Sequence, residues 1–136
     1  MTCFTYQNKE RVELELRSFL LRREVDWQEF WQHFCSKGLK YKDLFYVILL
    51  AHNPRLVIQA TEVYCRHEPS AYNLRYLLWE KLCPDVRDLL AKELLRQSGD
   101  ARDCVQIVRS KCSPGLRCQA VVKLMHDLPG FKKILS

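Results

Sequence analysis

Cys104, Cys112, Cys118 and His126 follow one another as C-x7-C-x5-C-x7-H. Three thiolates and an imidazole form a donor set that tetrahedral zinc accepts. The segment that carries them is nevertheless apolar at helical intervals, and Cys104 stands where two earlier, aligned segments have leucine. A thiol in such a place serves as a small apolar side chain, so we assign no metal. His33 with Cys35, and Cys65 with His67, lie two residues apart. Residues so spaced diverge on a helix, and neither pair makes a chelate or a nucleophile with its base. No phosphate-cradling glycine loop, G-x-S-x-G or Walker motif occurs. The chain has only four glycines. It reads as non-enzymatic, with no cofactor and no small-molecule substrate.

The residues suited to binding are basic and aromatic. The net charge of +6 is uneven: residues 101–136 carry seven Lys/Arg against two Asp, the first hundred 15 against 14 acids. A basic end favours an acidic protein or a nucleic acid. Within it and just before it, Arg87, Arg109, Lys111, Arg117, Lys123, Lys132 and Lys133 form the candidate basic patch. Arg87 and Arg117 sit in the first turn of expected helices, where the helix dipole disfavours cations. Each therefore pairs with a nearby acid (Asp85 or Asp88 for Arg87) or belongs to a binding stripe. Trp79 is the sharpest aromatic candidate, because its aligned positions hold Leu49 and Arg109; such a site tolerates charge and is expected to be exposed. Trp27 and Trp31 form one stripe of a helix whose neighbouring stripe is Phe30 and Phe34. One stripe faces the core, and the other covers the first repeat or anchors a partner.

What positions these residues is a repeat. Pro54, Pro84 and Pro114 stand 30 residues apart. Leu44, Leu74 and Cys104 precede them by ten. Leu56, Val86 and Leu116 follow, then Ala60, Leu90 and Ala120, then Tyr64, Leu94 and Leu124. Proline suits a first helical turn and forces the residue before it out of helical geometry. The spacing predicts helix pairs over 42–52 with 54–66, 71–82 with 84–97, and 101–112 with 114–127, with Ser70 and Asp100 as N-caps. Ahead of them a helix over 8–23 precedes a second one, capped by Asp26 with Glu29 in a capping box and closed by Gly38. The run from Leu44 to Leu50 is apolar on every side, as in a helix covered all round. Phe131 to Leu135 is expected to be a short final helix. No segment alternates with period two.

At 48% apolar and 28% charged residues, the 136-residue chain lies in the globular range. No apolar run reaches the length of a membrane span. The polar start over residues 1–11 is no signal peptide. Seven cysteines scattered through helices read as reduced thiols, which places the protein in the cytoplasm or nucleus.

The repeat logic across residues 41–128 resembles the helical solenoids of the HEAT and tetratricopeptide class. That resemblance implies a curved stack offering one face to a protein or nucleic-acid partner, and it transfers no functional residues. The first two gaps of the cysteine set are also those of the CCCH zinc fingers, which bind RNA, but Val122 stands where their histidine belongs. The expected fold is all-α: a right-handed stack of antiparallel helix pairs in one domain over 1–136. It comprises N-terminal capping helices (1–38), three repeats (41–66, 70–97, 100–128) and a C-terminal cap (129–136). The expected function is an adaptor or scaffolding module for a protein partner, acidic where it meets the basic end. RNA binding, as the accessory domain of an RNA-processing factor, is the alternative.

Overall fold

The structure, a computed structural model, describes residues 6–80, 82–97 and 100–127. Among these it is all-helical, without strands. The expected C-terminal cap over 129–136 lies outside the described residues. The chain divides after Pro69 into two compact units.

The first unit begins with α1 (Tyr6–Leu20) and α2 (Trp27–Ser36). Val12, Leu16, Phe19 and Leu20 recur along one side of α1 and are all buried. The helix ends three residues before the expected Arg23, where a later loop takes its last carbonyl and a second one just beyond it. Leu20 O accepts from His52 N at 2.9 Å, and Arg23 O accepts from the Asn53 side-chain amide. The Asp26 carboxylate accepts from Glu29 N at 3.1 Å, so one half of the capping box is present. Gly38 has φ +69, the left-handed geometry that glycine adopts without a steric cost. Gly38 N donates to Cys35 O and Leu39 N to Phe34 O, a Schellman closure of α2.

A 3-10 turn, Tyr41–Asp43, leads into α3 (Leu44–Leu50), and α4 (Pro54–Arg66) packs on α3. Asp43 reaches back to accept from Lys40 N at 2.8 Å, which holds the turn. Leu44 to Ile48 are all buried, whereas Leu49 and Leu50, which the all-round apolar run also predicts to be covered, are half-buried. Asn53 caps α4, its side-chain oxygen accepting from Leu56 N at 3.0 Å.

The second unit is two further pairs: α5 (Ala71–Trp79) against α6 (Pro84–Gln97), and α7 (Ala101–Arg109) against α8 (Pro114–Asp127). Ser70 and Asp100 are N-caps, their side chains accepting from Asn73 N and Asp103 N. All three prolines are first residues of their helices. The backbone bonds Val57 N to Asn53 O, Arg87 N to Cys83 O and Arg117 N to Ser113 O recur at the same interval. Leu44, Leu74 and Cys104 are each 0% exposed. Ala60, Leu90 and Ala120 are equally buried, whereas Leu124 is only half-buried.

The first helix of every pair is shorter than the spacing predicts, ending at Leu50, Trp79 and Arg109 instead of 52, 82 and 112. Ala51, Glu80 and Ser110, which follow them, are extended, with ψ 140, 156 and 165. The chain must reverse and deliver an extended residue to each proline, and one residue is too few for that. The connection is 51–53 in the first pair but 80–83 and 110–113 in the others. The first pair compensates with one more residue before its break, so the proline period survives.

Candidate interaction surface of the second unit

The two pairs of the second unit are joined by polar links. The carboxylate of Asp103 on α7 is 0% exposed and takes a forked bond from Arg75 on α5. Arg75 Nε donates to Oδ1, and Nη2 to Oδ2 at 3.1 Å. The same guanidinium lies 3.8 Å from Asp100. Gln106 Nε2 on α7 donates to Arg75 O at 3.0 Å, a second side-chain link from α7 to α5. Its hydrogen bond to Asp103 raises the Arg75 pKa further, against the opposing effect of burial. A buried carboxylate is tolerated because this cation pairs with it.

The connection from α7 to α8 lies against the first turns of α6. Ser113 N donates to Asp88 at 2.8 Å, and the Cys112 thiol points to Arg87 O at 4.0 Å. Cys112 also shares a 2.9 Å hydrogen bond with the Ser110 hydroxyl. Burial pushes the Cys112 thiol pKa up; the Ser110 bond and the nearby Arg87 and Arg117 guanidinium groups pull the other way without overcoming it.

This geometry gathers part of the predicted basic patch. Arg87 and Arg117 lie in the first turns of α6 and α8, close enough for both to act on one thiol. Arg109 closes α7, and Lys111 is exposed in the break that follows. Asp88 is engaged by Ser113 N, and no ion pair of Arg87 occurs among the described residues. Lys123 is half-buried, two turns further along α8. Lys132 and Lys133 lie outside the described residues.

Trp79 ends α5 and is 80% exposed, as its aligned positions predict. Sequence reasoning missed its company. Tyr72 and Tyr76, at 63% and 46% exposure, stand on the same face of α5 at i, i+4 and i+7 with Trp79. The signal was the same comparison that flagged Trp79, since position 72 aligns with Lys42 and Arg102.

Trp27 and Trp31 belong to the first unit and are half-buried. They stack on each other with centroids 5.5 Å apart, and Trp31 also meets Phe34 at 5.1 Å and Tyr41 at 5.8 Å. Tyr41 in turn stacks on His67 at 3.4 Å. Phe30 and Phe34 are the buried stripe.

Of the cysteine set, Cys104 and Cys112 are buried, while Cys118 and His126 lie exposed along α8. Among the described residues no three His, Cys, Asp or Glu side chains are grouped to hold a metal. His33 bonds Glu15 O through Nε2 at 2.8 Å. No described helix is long and apolar enough to cross a membrane. In comparison with known proteins, no family model, no curated protein and no solved structure matches the chain.

Proposed function

We propose that the chain is a non-enzymatic helical-repeat module of the cytoplasm or nucleus, an adaptor or scaffolding domain that docks an acidic protein partner. In this reading the three helix pairs, the second helix of each opening on a proline at one period, form a right-handed solenoid in the manner of HEAT repeats. The observation that carries the docking reading is Trp79: a tryptophan 80% exposed at the end of a helix whose other side is buried. Tryptophan and arginine are the residue types that dominate binding energy at interfaces. Here Trp79 closes α5 in the unit where Arg87, Arg109, Lys111 and Arg117 crowd the helix breaks.

The test is affinity purification with the whole chain and with Trp79→Ala, each with and without ribonuclease. The expected result is an acidic protein retained by the wild type in both conditions and lost with Trp79→Ala. Unchanged partners on Trp79→Ala would remove the reading. RNA binding is the second reading, favoured by the seven Lys/Arg of residues 101–136. It requires titration with short single-stranded RNA to show binding at low salt that falls steeply as salt rises.

A further inference from the structure

We infer that the segment recognised by the second unit is an acidic amphipathic helix, laid along the outer face of α5 and α7. This rests on the docking reading and names both the surface and its occupant. On α5 the face is Tyr72, Tyr76 and Trp79, all exposed. On α7, thirty residues on, Arg102 and Arg109 hold the positions of Tyr72 and Trp79 and are also exposed, with Val105 at 39% between them. Arg75, Asp103 and Gln106 link the two helices, and the residues of the aromatic row and of the guanidinium row are left exposed beside these links.

Every ring and cation in these rows is Tyr, Trp or Arg, the three types richest in interface hot spots. Two carboxylates of the α7 start are already engaged, and Glu80, which follows Trp79, is half-buried at one end of the aromatic row. Asp103 is buried on Arg75, and Asp100 caps α7 beside the same guanidinium. The face therefore offers positive charge and apolar area, and its complement is negative and apolar.

Spacing selects the helix. Seven residues of α-helix rise roughly 10.5 Å, so both rows are about two turns long. A partner helix running alongside repeats at that same interval: apolar side chains at i, i+4 and i+7 meet the rings, and Asp or Glu on the flank meets Arg102 and Arg109. Nucleic acid fits less well. Two arginines and Lys111 fall short of the roughly 6–10 phosphate contacts of a strongly salt-dependent binder.

The test is selection from a displayed library of random peptides about 16 residues long, four to five turns, against the whole chain. Affinities of the selected peptides are then measured by fluorescence anisotropy, with folding of each variant checked by thermal melting. The expected peptides are net acidic, apolar at i, i+4 and i+7, and become helical on binding. Tyr72→Ala and Trp79→Ala are each expected to weaken them about tenfold or more. Arg102→Glu with Arg109→Glu does the same and shifts selection toward basic peptides. Peptides that are lost with Arg87→Glu and Arg117→Glu, but bind the α5 and α7 variants as tightly as the wild type, would overturn this face while leaving the docking reading intact. So would a uridine 20-mer that displaces the peptides and is itself lost with Arg102→Glu and Arg109→Glu. A library that yields no acidic helical binder overturns the inference alone, since the Trp79 purification tests the docking reading separately.

Discussion

Individual side chains make three measurable claims about charge and reactivity. Removing Arg75 while keeping Asp103 leaves a fully buried carboxylate without its cation. Arg75→Ala is expected to cost about 3 kcal/mol in urea unfolding, in the range for breaking a buried pair, and Arg75→Ala with Asp103→Leu should recover much of it. Glu93 is buried and takes a forked bond from Arg96 at 3.0 and 2.6 Å. That bond holds its carboxyl below the usual range. A depressed folded value means that the contribution is complete above the unfolded pKa, about 4.3 for Glu, and is lost as pH falls through the folded value. Glu93→Gln should therefore flatten the fall in stability below about pH 4.3, read as melting temperature against pH. Thiol chemistry gives a third check. Cys35 and Cys118 are exposed, whereas Cys104 and Cys112 are buried and Cys112 is held protonated by burial. Mass spectrometry after brief alkylation should find the first two modified and the last two protected until the protein unfolds.

At the level of the helices, the caps carry the prediction. Ser70→Ala and Asp100→Ala each remove one acceptor from a helix start and are expected to cost about 1 kcal/mol. Asn53→Ala should cost more, because the same side chain also donates to Arg23 O. Chemical denaturation of the three variants ranks them. The Ser70 and Asp100 caps, the proline starts and Gly38 were all legible in the sequence, because each is a local backbone need met by a residue within three or four positions. Asn53 reads there only as the break before Pro54, not as a cap. The ends of α1, α3, α5 and α7 were not legible. The end of α1 depends on His52 taking its last carbonyl, and Asn53 the carbonyl of Arg23 just beyond, from about thirty residues away. The early stops of α3, α5 and α7 answer the space needed to reverse the chain. The aromatic row on α5 was half legible. Trp79 stood out through its charged counterpart, while Tyr72 and Tyr76 passed for ordinary residues of a helix whose inner side is Leu74, Leu77 and Leu78. The Arg75–Asp103 link joins residues 28 apart, and nothing in either helix alone announces it.

Across the whole chain, the uneven charge predicts how docking responds to ions. With an acidic protein on the arginine row, raising salt from about 0.05 to 0.2 M should slow association several-fold and leave dissociation nearly unchanged, as steering by screened charge does. Stopped-flow measurement with the purified partner separates the two rates; a dissociation rate that climbs instead would mean that the arginines hold the complex more than they guide it. The forked bond beneath the surface adds a last consequence. Because Arg75 grips a carboxylate with no access to water, α5 cannot slip one turn past α7 without tearing that grip. The spacing between rings and guanidinium groups is thus set before any visitor arrives. On the docking proposal, the pair of helices would act as a gauge, accepting only what already matches its pitch.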